Sequence, residues 1–399
     1  MTNLAFGLTA LAVLGLLLFT PFSRSPLWRA TVTPLASIIG SGFLVSAPLL
    51  AREFGGYAAP AMALLIVTAW ALGWTIRYNI RVVEPLLKEG GDKLLSSVEE
   101  ISHLVLTFAY FVSVAYYLAL LGQFLLASVG HPSDTIARAI AIALVVGLAL
   151  LGWTGGAARV ARLERYATAL NLAVISGFLV ALALHGAGLI SAGQSVLPPA
   201  GKASLASLPV LLGLLIVVQG FETTRFTGAD FPAATRIKAM RYAQIVSGLV
   251  YVIFFLLLSP LYGDLARGSG VAEVITVSAL VAPALPLSLA VAAMGSQLSA
   301  SVADSLGNVG LIREITHGKI DARHGYTLVG LIGTGILIAT EVTGVIALAS
   351  RAFALFYALQ ALVAFEAARK RPGETARSVA FLALAMLAAA VFFFGTPAG

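Results

Sequence analysis

With 59% of its 399 residues hydrophobic and only 11% charged, the chain falls far below the roughly 25% charged residues of a soluble domain, which excludes a soluble enzyme or binding module. Its net charge of +7 needs no nucleic-acid partner, because basic loops on one side are usual for multi-span membrane proteins. The absence of cysteine excludes disulfides, thiolate metal sites and a cysteine nucleophile.

Apolar blocks near the length that spans hydrocarbon, roughly 20 residues, recur twelve times. They lie near 4–20, 33–51, 57–76, 101–129, 136–153, 166–190, 206–226, 242–262, 280–306, 326–342, 344–366 and 378–395. The first has no leading positive charge and no small-residue cleavage pattern before Pro21, so it reads as a retained helix and not a signal peptide. Segment 77–100 is amphipathic and basic and predicts either a helix along the cytoplasmic surface or an ordinary loop. Segment 263–279 predicts a short outer helix or, again, a loop.

Basic residues test this segmentation. Alternate loops hold Arg24 and Arg29; Arg77, Arg81, Lys88 and Lys93; Arg159, Arg162 and Arg165; Arg225, Arg236, Lys238 and Arg241; Arg313, Lys319 and Arg323; and Arg369, Lys370, Arg371 and Arg377. That places 20 of the 25 lysines and arginines on one side, against Arg52, Arg138, Lys202 and Arg267 on the other. By the positive-inside rule both termini are expected outside, in the cytoplasmic (inner) membrane of a prokaryote.

Two soft spots interrupt apolar spans. The second span carries Ile39-Gly40-Ser41-Gly42, and the seventh carries Gln219-Gly220-Phe221-Glu222 followed by a run to Gly228. Glycines in one span alone are equally compatible with close helix packing. Two such spots five spans apart, in helices running opposite ways, point to a transporter with paired broken helices. A break frees N–H groups at one half-helix start, which favour an anion, and C=O groups at the other end, which favour a cation. The eight residues Ile39 to Gly42 and Gln219 to Glu222 are thus the candidate substrate site.

Ionisable residues within spans are functional candidates by default. Glu222 stands at the second soft spot, as a proton or cation group or as a cap on the broken helix. Gln297, Ser301, Asp304 and Asn308 share one helix face, and Ser301, Asp304 and Ser305 are candidates for ion coupling. The alternative for Asp304 is a salt bridge to a cytoplasmic arginine. Arg225 and Arg351 are gating or structural candidates, Arg351 either reaching the interface or pairing with Glu341. Tyr116, Tyr117 and His185 read as packing or interfacial residues. A Walker-type loop, HExxH and GxSxG are all absent from the sequence, so no ATP-driven or enzymatic chemistry is expected, and neither is a cofactor or bound metal.

The stretches "IIGSGFLVSAPLLAREFGG" and "GFETTRFTGADFPAATRIKAMRYA", with "KEGG" at 88–91, resemble the first helix, the sixth helix and the third-helix approach of amino acid–polyamine–organocation (APC) transporters. The resemblance covers about residues 31–366. It implies an all-α, five-plus-five inverted-repeat (LeuT-like/APC) fold with one extra helix before the repeats and one after. The division is 1–30, 31–190 with a break near 39–42, 191–370 with a break near 219–228, and 371–399. By resemblance, Ile39 to Gly42 would meet a carboxylate and Gln219 to Glu222 an amine or side chain. The chain departs from the family in lacking a lysine in 166–190, in its extra first helix and in Arg225.

The expected function is secondary active transport of a small organic solute, an amino acid or related amine, coupled to H⁺ or Na⁺. An inorganic cation transporter on the same fold and a non-transporting sensor or accessory subunit are the alternatives. The expected partners are the small-molecule substrate and the lipid bilayer, with no nucleic acid.

Overall fold

A computed structural model describes residues 1–396 except 91–92, 130, 132, 203, 229, 269–272 and 341. At 41, 127, 156–159, 161, 163, 342–344, 346 and 347 it describes the backbone alone. Among the described residues the regular secondary structure is helical, and the one β-type contact is an isolated bridge between Gly55 and Gly201. The helices are α1 (Thr2–Phe19), α2 (Pro26–Phe54), α3 (Ala58–Tyr78), α4 (Glu84–Lys88), α5 (Lys93–Ser128), α6 (Asp134–Ser191) and α7 (Leu208–Gly213). They continue as α8 (Ala233–Leu258), α9 (Tyr262–Arg267), α10 (Glu273–Val277), α11 (Leu285–Ile315), α12 (Ala322–Ala339), α13 (Val342–Arg369) and α14 (Thr375–Phe394).

Eleven stretches among the described residues are long and apolar enough to cross a membrane. The twelfth expected crossing is α12, whose first turn holds Arg323 and His324. Helix α6 covers two expected spans. A straight helix of 58 residues would reach about 87 Å, nearly three times the roughly 30 Å of hydrocarbon. Its contacts show it folding back as the crossings Asp134–Gly155 and Glu164–Ser191. Gly122 in α5 lies against Ala137, and Gly152 against Tyr326 at the start of α12. Gly177 then returns to Phe6 in α1, and Phe178 to Phe254 in α8.

Burial ranks the helices. The apolar window of α2 is 100% buried and that of α1 only 11%, so α2 is the hub of the bundle and α1 a peripheral helix on α6. The segment 77–100 is not a surface helix. It forms the ends of two crossings, α3 continuing through a π-turn at Asn79–Val83 into α4, and α5 starting at Lys93. Its polar residues are drawn inward by polar partners: Arg77 bonds Gln244, and Asn79 Nδ2 donates to Gln360. The described residues of segment 263–279 include two short helices, α9 and α10, whose Leu265 and Val274 are buried.

One expectation fails in α2. Its backbone stays helical from Pro26 to Phe54, through Ile39-Gly40-Ser41-Gly42 and with Pro34 and Pro48 inside it. The glycines are there because two other segments press on the helix. A Cβ on Gly40 would lie 2.3 Å from Ala300 Cβ and 2.9 Å from Ser296 O in α11, and one on Gly42 would lie 2.3 Å from Val217 Cβ. Close packing, and not an opened backbone, accounts for the first soft spot.

Gly40→Ala should therefore destabilise the purified protein by about 1–3 kcal/mol, as overpacked cores do. Gly186→Ala, where an added Cβ meets nothing within 4 Å, should leave the melting temperature unchanged or slightly raised. Melting in one detergent compares the two.

Candidate functional site

The seventh crossing, Leu205–Phe226, is broken. After α7 the chain tightens into a 3-10 turn at Leu214–Val218, extends at Gln219 (ψ 174°), turns at Gly220 and resumes as a 3-10 turn at Phe221–Phe226. Gly220 has φ 115°, a left-handed value that disfavours a side chain, and a Cβ there would lie 2.3 Å from Ser37 Oγ in α2. Conformation and space both demand glycine.

The groups freed by this break are satisfied by named side chains. The Tyr251 hydroxyl of α8 reaches Val217 O at 2.7 Å and Ile38 O at 3.1 Å. The Gly220 N–H donates to Glu222 Oε2 at 2.9 Å, and the Tyr357 hydroxyl of α13 donates to the same oxygen at 2.6 Å. Phe221 stacks on Tyr357 with ring centroids 5.3 Å apart. Gln219 Nε2 donates to the Tyr117 hydroxyl at 3.0 Å, so Tyr117 belongs to the site and is more than a packing residue.

Several buried polar atoms around the break have no hydrogen-bond partner among the described residues. They are Gln219 Oε1, Glu222 Oε1, Gln297 Oε1 and the Tyr110 hydroxyl. Native interiors rarely leave such groups unmet, and each exception asks for an explanation such as a ligand or water. Three of the four atoms are acceptors, Glu222 Oε1 when its carboxyl is ionised. Gln297 is tied to α2 by its other end, Nε2 donating to Gly40 O at 3.0 Å.

Asp304 of α11 forms a second centre. Its Oδ1 accepts from Ser37 of α2 at 2.8 Å and its Oδ2 from Ser113 of α5. No arginine or lysine is bonded to it among the described residues, so the alternative reading, a salt bridge to a cytoplasmic arginine, finds no support there. The hydroxyls of Ser301 and Ser305 turn back onto their own helix, to Leu298 O at 2.8 Å and Ser301 O at 2.7 Å. Sequence spacing placed these serines on one face but did not reveal that the donors to Asp304 come from other helices. It also missed Glu164 of α6, which is 3% exposed and accepts from Thr33 at 3.2 Å. The only sequence signal for Glu164 was a carboxylate at the edge of an apolar block beside three arginines.

Arg225 lies toward the basic-loop side of the break, in a closed ionic cluster. Its guanidinium bonds Glu99 of α5 and Gln360 of α13, and lies 3.8 Å from Glu84 of α4. Arg236 of α8 grips Glu84 with two bonds of 2.9 and 2.7 Å and donates to Arg225 O at 2.6 Å. Gln360 Nε2 completes the cluster through Glu99 at 2.9 Å and Ser102 at 2.7 Å. Five elements are thus pinned together below the break. Arg351, by contrast, is exposed, and its suggested partner Glu341 lies outside the described residues. Ile39 is buried in α2, and the side chain of Ser41 also lies outside the described residues.

An all-helical bundle that crosses the membrane many times, with one crossing broken around buried unpaired acceptors, is the architecture of a membrane transporter. Comparison with known proteins makes this specific: a profile described as APC superfamily transporter matches residues 20–395, and the chain belongs to that superfamily. An uncharacterized protein of Aquifex aeolicus (strain VF5) is 38% identical over 360 residues, 88% of each chain. Among solved structures, Mhp1, a nucleobase-cation-symport-1 family transporter in a closed conformation with bromovinylhydantoin bound, aligns over 90% of each chain. The identity there is 15% and the TM-score 0.47.

Removing one partner of a buried pair strands the other charge and costs about 3–5 kcal/mol, whereas replacing both by apolar groups is often neutral. Arg225→Met should therefore lower stability by about that amount, and Arg225→Met with Glu99→Leu should recover most of the loss. Denaturation of the three proteins in detergent measures the difference.

Proposed function

We propose that the protein is a secondary active transporter of a small organic solute that presents N–H donors, an amino acid or related amine, working by alternating access around the broken seventh crossing. The observation that carries this reading is the set of three buried acceptors, Gln219 Oε1, Glu222 Oε1 and Gln297 Oε1, that lack a donor among the described residues. An ammonium or amide group supplies the missing donors. Phe221 and Tyr357 provide an aromatic wall beside them. The Arg225–Glu99–Glu84–Arg236 cluster acts as the closure on the basic-loop side, which the positive-inside rule assigns to the cytoplasm, with both termini outside. A bacterial or archaeal inner membrane is the setting that this reading implies.

The coupling ion in this reading is a proton. Asp304 and Glu222 are carboxylates held by neutral donors, Ser37, Ser113, Tyr357 and a backbone N–H, so each can carry a proton without losing a charge partner. A metal-ion transporter is disfavoured because no group of three His, Asp or Glu side chains gathers among the described residues. A non-transporting sensor is disfavoured because Arg225, the departure from the family beside the break, is neutralised by Glu99 away from the unpaired acceptors.

Amino acids and amines at about 100 times their Kd should stabilise the purified protein by about 2.7 kcal/mol. The same compounds should enter proteoliposomes under an inward proton gradient. No thermal shift and no uptake across the panel would sink the transporter reading. Glu222→Gln keeps the acceptor for Gly220 and Tyr357 but cannot ionise, so it should fold normally and lose gradient-driven uptake. Full gradient-driven uptake by this variant would remove Glu222 from the coupling step.

A further inference from the structure

Glu164 has no part in the site described above, yet it is placed as few surface carboxylates are. It begins its crossing at the basic-loop end and is 3% exposed. One oxygen accepts from Thr33, and the other, Oε1, is buried with no partner among the described residues. Its nearest basic neighbours in sequence, Arg162 and Arg165, sit on the same helix, and no ion pair to either is formed among the described residues.

Thr33 links Glu164 to the centre of the molecule. Thr33 and Ser37 are four residues apart on α2 and share a face. Thr33 serves Glu164 at 3.2 Å, and Ser37 serves Asp304 at 2.8 Å. Ser37 Oγ also lies against the break, 2.3 Å from where a Cβ on Gly220 would stand, and the Gly220 N–H donates to Glu222. The three carboxylates therefore form a line from the basic-loop end of the bundle to the break, with one face of α2 between the first two. The other titratable group facing Glu164 is Tyr326 of α12, whose hydroxyl is also buried without a partner. Helix α1 brings no titratable side chain, and α2 brings Thr33.

We propose that Glu164 is the port through which the coupling proton passes between the substrate site and water on the basic-loop side. The inference rests on the proton-coupled reading given above. The step moves one proton and no electrons: Asp304 releases the proton it holds, Glu164 Oε1 takes it, and Glu164 returns it to water beside Arg162 and Arg165. The hydroxyls of Ser37 and Thr33 each donate to a carboxylate and can accept in turn.

The test is infrared difference spectroscopy of the full-length protein in lipid, stepped through pH in sodium-free buffer. Glu164→Gln should remove one component of the protonated-carboxyl band and move the titration of the remaining Asp component to lower pH. Thr33→Val, which deletes only the hydroxyl donor, should shift the Glu164 component without abolishing it, and Glu164→Asp should keep a titrating component. A Glu164→Gln spectrum equal to wild type at every pH would overturn the proposal. So would a band indifferent to pH but moved by added Na⁺. Failure of the wild type to move any solute sinks the transport reading by itself, and the titration of Glu164 is read without a solute.

Discussion

Inside hydrocarbon a backbone N–H or C=O that leaves its helix must find another partner, because an unmet group costs several kcal/mol. The rest of this structure is arranged around one place where that rule is tested, the turn at Gln219–Gly220. Tyr251 takes the freed Val217 carbonyl, and Glu222 takes the freed Gly220 N–H. Tyr357 in turn holds Glu222. Three crossings, α8, α13 and the seventh itself, therefore depend on one two-residue interruption. The acceptors left over after this satisfaction have no partner among the described residues.

The same constraint explains why charge is confined to a few positions. Arg225 enters the membrane region because Glu99 and Gln360 meet it, with Glu84 and Arg236 behind them. Such a cluster adds little net stability, since desolvation offsets the attraction, but it fixes which elements lie together. Here it joins α4, α5, α8, α13 and the end of the broken crossing. That is the set of contacts an opening toward the basic side would have to undo. Asp304 and Glu164 differ in kind, because the hydrogen bonds to them come from hydroxyls and no cation is bonded to either among the described residues.

The contrast between the two soft spots is instructive. Both were legible as glycines in apolar spans, and sequence alone treated them as a pair. Only one is an open turn. At Gly220 the local chain itself turns to φ 115°. At Gly40 and Gly42 the requirement comes from Ala300 and Val217, residues more than 170 positions away. A missing side chain looks identical in sequence whether the backbone or a neighbour demands it. The serines of α11 show the same gap: their shared face was readable, but their hydroxyls bond within the helix while Ser37 and Ser113 arrive from elsewhere.

Sequence by itself determined that the chain is a multi-span helical membrane protein and where most of its crossings lie, because the length and apolarity needed to cross hydrocarbon are local properties. It also located the broken seventh crossing and marked Glu222, Asp304 and Arg225, since a charge or a glycine in such a span is conspicuous. Tertiary structure decided everything that depends on which helix faces which. It closed α2, folded residues 77–100 into the bundle, paired Arg225 with Glu99, and brought Tyr117, Tyr357 and Glu164 into the polar interior. Those assignments rest on hydrogen bonds and close contacts between residues distant in the chain, and helical periodicity specifies a face without specifying the neighbour that covers it.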